Sequence, residues 1–222
     1  MLAIPRGGVP VGYEVSRVLG CPLDVIVPRK LPIPWSPEAG FGAIMPDGTR
    51  VLNERMARQL GLAADEIAEI AEEVLDEVRR REAAFRGNRP PPAVAGRAAI
   101  LIDDGLATGY TMIAAVRAVR KRGPSSVVVA VPVSPRDSAN QVARDADEVL
   151  LRLAKYSDIA KSGKSRPEPG KNAPVHCNSY MRDSIVLHIS DDYPFAVASF
   201  YQQFPDLTDE EVRGYLSPTM DG

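Results

Sequence analysis

Cysteine is scarce: Cys21 and Cys177 are the only two in 222 residues. Two cannot build a disulfide-dense scaffold, and they read as free thiols in a reducing compartment. His176 stands beside Cys177, but no second Cys or His cluster completes four ligands, so no metal site is read there. Long hydrophobic runs are missing as well. The longest, Val127 to Val133, falls far short of the roughly 20 residues that a membrane helix needs. Arg6, Gly7, Gly8 and Pro10 interrupt the N-terminal apolar run, so no signal peptide is read. Charge of one sign is not in excess either. Lys and Arg total 27, Asp and Glu 29, and the formal net charge is −2. A general nucleic-acid binder would show a basic surplus. The expectation is a cytoplasmic protein with no nucleic-acid and no membrane partner, although a local basic site stays open.

What is present is ordinary globular composition, 45% hydrophobic and 25% charged. The length suits one large domain, or one with an appendage, and can bury a core without staples. Met1 to Ile4 is apolar and runs into Pro5-Arg6-Gly7-Gly8-Val9-Pro10. A helix follows, with Val11, Val15 and Val18 at helical spacing and Gly20 as its stop. Leu23 to Val27 reads as a buried strand. Prolines punctuate residues 31–64, where Phe41 to Met45 and Thr49 to Leu52 flank a Pro46-Asp47-Gly48 hairpin turn. Residues 65–85 carry a helical stripe of Ile67, Ile70, Val74 and Val78.

Strands are then expected at Ala98 to Ile102, Ser126 to Val133 and Glu148 to Leu153. Between them lie one helix carrying Met112, Ala115, Val116 and Val119 inward, and another capped by Ser134-Pro135 with Ala139, Val142 and Ala143. The alternation predicts an α/β fold: a doubly wound, mostly parallel sheet with helices on both faces. Residues 1–153 form the expected core, with a flexible hairpin loop at about 34–53. Residues 154–222 form a small C-terminal cap with a polar insertion at 154–183. Ser184 to Ile189 is a further strand candidate, and Thr208 with Glu211 makes a capping box for a last helix ending near Leu216.

The segment that carries chemistry is AILIDDGLATGYT, residues 99–111. An apolar strand delivers two carboxylates to the sheet edge. A loop of small residues then lets backbone N–H groups gather around an anion, and a helix N-terminus points its positive end at the same place. Thr108 and Thr111 add hydroxyls. Such a loop suits a phosphate monoester. Asp103 and Asp104 would repel a bare phosphate, but they accept hydrogen bonds from the vicinal hydroxyls of a phosphorylated sugar. Rivals fail on details. A Walker loop needs Gly-Lys-Ser/Thr, whereas Tyr110-Thr111 follows Gly109. The dinucleotide fingerprint G-x-G-x-x-G is not matched. A receiver domain needs a phosphoacceptor Asp at the end of a later strand, where this chain has Pro132 to Pro135.

DDGLATGYT resembles the phosphoribosyl-pyrophosphate (PRPP) motif of type I phosphoribosyltransferases. PRGGVP at residues 5–10 resembles the family's pyrophosphate loop. Arg29-Lys30-Leu31, Glu38 and Gly42-Ala43-Ile44 resemble the segment after its second strand, and Phe195 to Val212 the tail of a branch whose base substrate is poorly defined. With strands ordered 2-1-3-4-5, the two loops would flank the point where the sheet order reverses, which is where open α/β sheets bind ligands.

The resemblance implies a pentosyltransferase moving 5-phosphoribosyl from PRPP to a nucleobase-like acceptor, with release of pyrophosphate. It makes Asp103 and Asp104 the catalytic pair on the ribose hydroxyls. Ala107, Thr108, Gly109, Tyr110 and Thr111 would bind the 5-phosphate, and Arg6, Gly7, Gly8 and Lys30 the pyrophosphate. Mg²⁺ would be held mainly through PRPP oxygens, with no protein metal site. The hairpin resembles the family's mobile loop, with Glu38 as its anchor. Tyr156, Phe195, Phe200, Tyr201 and Phe204 are candidates to stack on the base or to form a small satellite core. The resemblance leaves a homodimer open. The alternative function is a PRPP- or nucleotide-binding regulatory protein, or a catalytically incomplete member of the same fold.

Overall fold

The computed structural model describes residues 1–87, 89–151, 189–190, 195–201 and 203–216. Strand β1 (Leu2–Ala3) is buried and leads through a turn into helix α1 (Gly8–Leu19), which ends at Gly20. The buried face of α1 is not the expected valine stripe. Val9, Gly12 and Ser16 face inward, and Val18 is 82% exposed. The reason is close approach: a Cβ on Gly12 would lie 3.0 Å from both Ala3 Cβ and Leu23 Cδ1. A helix that close to its sheet needs small residues on the contact face.

The chain continues through β2 (Asp24–Val25) into an antiparallel unit of β3 (Arg29–Ile33), β4 (Ser36–Ile44) and β5 (Arg50–Leu52). The β4–β5 hairpin turns where Pro46-Asp47-Gly48 predicted it, but β3 was not foreseen. Pro32 sits inside it at a register shift against β4, where the missing N–H removes no regular ladder bond. Phe41, Ala43, Ile44 and Met45 of the hairpin are buried. Helix α2 (Glu54–Gln59) is a further addition, capped by Asn53 accepting from Met56 N at 3.0 Å. Helix α3 (Ala64–Arg86) carries the predicted stripe.

Next come β6 (Ala98–Ile102), α4 (Tyr110–Arg120), β7 (Ser126–Val131), β8 (Ser134–Pro135), α5 (Arg136–Val142) and β9 (Glu148–Leu151). Ser134 does not cap α5. It is fully buried, and its two-residue strand pairs in parallel with β10 (Ile189–Ser190). Ala143 is exposed, while Ala139 and Val142 of α5 are inward. A 3-10 turn at Val197–Phe200 and helix α6 (Asp209–Leu216) complete the described chain. Thr208 and Glu211 form the expected box: Thr208 N and Oγ1 donate to Glu211 Oε2 at 2.7 and 2.9 Å. The polar insertion 154–183, Tyr156, His176 and Cys177 lie outside the described residues.

The main sheet runs β2-β1-β6-β7-β9, every neighbouring pair parallel. In order of core strands this is the expected 2-1-3-4-5. Helices α1, α3 and α6 cover one face through Val9, Val78, Phe85, Val212 and Leu216. Helix α4 covers the other. Its Met112, Ile113, Ala114, Ala115, Val116, Ala118 and Val119 are all buried, a wider face than one stripe. The cause is a second layer: α4 also packs against β3, β4 and β5, so the antiparallel unit covers its outer side. At roughly 1.5–3 kcal/mol per fully buried large apolar side chain, this sandwich fixes where α4 begins. That start is the edge of the candidate site.

Candidate functional site

Strands β1 and β6 are neighbours, with Leu2 opposite Leu101 and Ala3 opposite Ile102. Their C-terminal ends stay in step, because Ile4 N donates to Ile102 O at 2.8 Å. From β1 the chain winds to β2 on one side, and from β6 to β7 on the other. The two following loops therefore meet at the reversal of strand order, where a crevice opens.

The loops interlock. A Cβ on Gly7 would lie 1.8 Å from Asp104 Oδ2, and one on Gly8 would lie 2.8 Å from Asp103 Cα. Only glycine at positions 7 and 8 lets the 5–8 turn lie flat on the acidic doublet. The Pro5–Arg6 peptide in this turn is cis. The structure thus brings together Arg6, Gly7, Gly8, Asp103 and Asp104, which stand almost a hundred positions apart in the chain.

Asp103 holds its proton well above the ordinary carboxylate range, first through burial and then through the neighbouring Asp104 charge. Asp104 is also raised by burial, while nearby donors, including the Gly105 N–H, pull it back. Asp103 Oδ1 accepts from Asp104 N at 2.9 Å. Two half-sequestered carboxyls side by side are costly in the folded chain. They are groups that gain from ligand hydroxyls or positive charge.

Residues 105–109 turn from β6 into α4. Gly109 adopts φ 79°, a left-handed conformation that favours glycine, directly before the first helical residue. Ala107 and Thr108 are exposed. Among the described residues, the N–H groups of residues 107 to 111 find no carbonyl or side-chain acceptor. Tyr110 is half-buried and packs on the core cluster around α4, so its place at the site is through its backbone. Ser138 of α5 donates from Oγ to Ala107 O at 2.6 Å.

The described C-terminal residues touch both loops. Tyr201 donates its hydroxyl to Asp104 O at 2.6 Å, and a Cβ on Gly105 would meet Val197 Cγ1 at 2.8 Å. Among the proposed stackers, Phe195 lies against Phe200 and Tyr201 against Phe204, with centroids 5.2 and 5.1 Å apart. Sequence reading saw the aromatic group but not the Tyr201 bond, because nothing local signals a partner 97 residues away.

On the other loop, Arg6 faces Asp209 at 3.8 Å, both side chains about two-fifths exposed. Arg29 pairs with Glu77 at 2.8 Å. Half-buried Arg81 is held below the usual guanidinium range by burial, then by the like charge of Arg29; Asp209 opposes this, Arg6 adds to it, and Glu77 opposes. Sequence reading missed Arg81 as a neighbour of both Arg29 and Arg6. Lys30 Nζ donates to the Glu38 carbonyl and stands 4.0 Å from the Glu38 carboxylate. Glu38 thus meets Lys30 inside the β3–β4 hairpin. Among the described residues no group of three or more His, Cys, Asp or Glu is placed to hold a metal ion, and no helix is long and apolar enough to cross a membrane.

Comparison with known proteins agrees with this arrangement. The phosphoribosyl transferase domain family matches residues 45–161, more than half of the chain, including the acidic doublet and its loop but not residues 5–8. Two Mycobacterium tuberculosis proteins, from strains CDC 1551 / Oshkosh and H37Rv, carry provisional phosphoribosyl transferase names. Each is 45% identical over 216 residues, 97% of this chain. The chain spans 41% of their length. The crystal structure of TT1426 from Thermus thermophilus superposes with a TM-score of 0.66 at 33% identity, covering 97% of this chain and 85% of that one. With the sheet order, the interlocked loops and this match in agreement, the chain belongs to the phosphoribosyl transferase domain family.

Proposed function

We propose that the protein transfers 5-phosphoribosyl from PRPP to a nitrogen of a nucleobase-like acceptor and releases pyrophosphate. The observation that carries this reading is the contact of Gly7 and Gly8 with Asp104 and Asp103 at the sheet reversal. It sets a glycine turn for one anionic end of a ligand against an acidic pair for its sugar. The loop of residues 107–111, whose N–H groups find no acceptor among the described residues, supports a site for the other anionic end.

In this reading Ala107, Thr108, Gly109, Tyr110 and Thr111 hold the 5-phosphate through backbone donors and the two threonine hydroxyls. Asp103 and Asp104 accept from the ribose hydroxyls and favour positive charge as the bond from the sugar's anomeric carbon to pyrophosphate lengthens. Gly7 and Gly8 let the backbone approach the departing pyrophosphate, and Arg6 adds charge there. Lys30 joins them only if it leaves Glu38. The anomeric carbon loses its bond to pyrophosphate oxygen and gains one to the acceptor nitrogen, whose proton departs. Asp103 and Asp104 are engaged with the ribose in this reading, so Mg²⁺ would arrive on PRPP oxygens. When bound, it would neutralise pyrophosphate charge. The chain's part is position and electrostatics.

The test is a panel of nucleobases with PRPP and Mg²⁺, scored by pyrophosphate release. Release that depends on one base supports the transferase. PRPP binding with no base-dependent release would favour the regulatory or incomplete alternative.

A further inference from the structure

The phosphate cradle is held from outside by two hydroxyls that no motif contains. Ser138 of α5 donates to the carbonyl of Ala107, and Tyr201 donates to the carbonyl of Asp104, each at 2.6 Å. In a trans peptide unit the C=O and the following N–H point in opposite directions. Fixing a carbonyl therefore aims the next residue's N–H. The Ala107 carbonyl shares its peptide with the Thr108 N–H, so Ser138 turns that donor away from α5 and towards the open side of the loop. The Asp104 carbonyl shares its peptide with the Gly105 N–H, one of the donors acting on the Asp104 carboxyl.

We propose that Ser138 and Tyr201 are positioning residues, Ser138 aiming the Thr108 N–H at the sugar phosphate and Tyr201 keeping the Gly105 N–H on the Asp104 carboxyl that faces the ribose, roles that rest on the functional reading above. A carbonyl free to flip would present oxygen to the anion in place of N–H, replacing attraction with repulsion. Packing keeps both hydroxyls in place. Ser138 is only 8% exposed and its backbone lies 3.5 Å from a Cβ position on Gly109, while Val197 seats the Tyr201 segment on Gly105. Burial, with the Asp104 and Asp103 charges, pushes the Tyr201 phenol up, so its hydroxyl keeps its proton to donate. The two bonds come from separate elements and close on the same turn, one at each end.

The experiment titrates ribose 5-phosphate, PRPP with Mg²⁺, and inorganic pyrophosphate into wild type, Ser138→Ala, Ser138→Thr and Tyr201→Phe by calorimetry, with a thermal melt of each. Loss of one aimed donor should weaken ribose 5-phosphate and PRPP by about five- to tenfold in Ser138→Ala and Tyr201→Phe. Pyrophosphate should bind as in wild type, and Ser138→Thr, which keeps the hydroxyl, should recover most of the loss. Equal weakening of all three ligands, or none in either variant, overturns the proposal. Should wild type itself bind neither sugar phosphate, the functional reading falls and this proposal with it.

Discussion

The Asp104 carboxylate occupies the space that a side chain at Gly7 would need, 1.8 Å from the position of its Cβ. The neighbouring contact is of a different kind: at Gly8 the Cβ would meet backbone, 2.8 Å from Asp103 Cα and 2.9 Å from Ile102 O. Alanine should therefore separate the two. In Gly7→Ala the carboxylate can rotate out, so the fold survives and PRPP affinity drops about 100-fold through misplacement. In Gly8→Ala the strand ends must part, costing about 1–3 kcal/mol of stability. Melting curves and PRPP titrations of both variants check this, and equal melting temperatures would count against it.

The acidic pair should cost stability at neutral pH. Both carboxyls hold protons more tightly in the folded chain than at the ordinary value of 3.8. The folded state thus binds more protons, and stability falls as pH rises from that value through the raised ones. Above them the penalty is complete. Asp103→Asn with Asp104→Asn should melt a few degrees higher than wild type at pH 7 and show little gain near pH 4. Melts across pH 4–8 test the sign, and a wild type more stable than the double variant at pH 7 would refute it.

Arg6 should matter more for anions than for the fold. Its pair with Asp209 is exposed and worth at most about 1 kcal/mol. Arg6→Ala should lower pyrophosphate affinity about tenfold with little change in melting temperature. Asp209→Asn removes the competing carboxylate and should tighten pyrophosphate about two- to threefold, more at low salt than at high. Calorimetry at two ionic strengths reads both effects.

Thr108 is exposed in the loop between β6 and α4, and the proposed function assigns its hydroxyl to the 5-phosphate. Thr108→Val should weaken ribose 5-phosphate by about five- to tenfold and leave pyrophosphate binding unchanged. Weakening of pyrophosphate alone would place the phosphate ends the other way round.

Much of this arrangement was legible in the sequence because it is local. The strand-loop-helix string of residues 98–120 carries its own apolar run, small-residue turn and helix start, and it folds as read. The parallel sheet followed from the alternation of strands and helices, and its order is the common doubly wound arrangement. What the sequence hid was contact at a distance. The α1 face was mis-phased because Gly12 and Ser16 pack by being small, which hydrophobic periodicity does not register. Strand β3 was hidden by Pro32, whose register shift excuses it. The contact of Lys30 with Glu38, eight residues on, was not read from the sequence. Tyr201, Ser138 and Arg81 reach the site across the fold, and no spacing rule announces such partners.

The most direct measurement is a calorimetric titration of PRPP with Mg²⁺ into the folded wild-type chain and into the Asp103→Asn, Asp104→Asn variant. The account predicts saturable, one-site heat for wild type and a loss of affinity of more than about 100-fold in the variant. Identical binding by both proteins, or none by wild type, would contradict it.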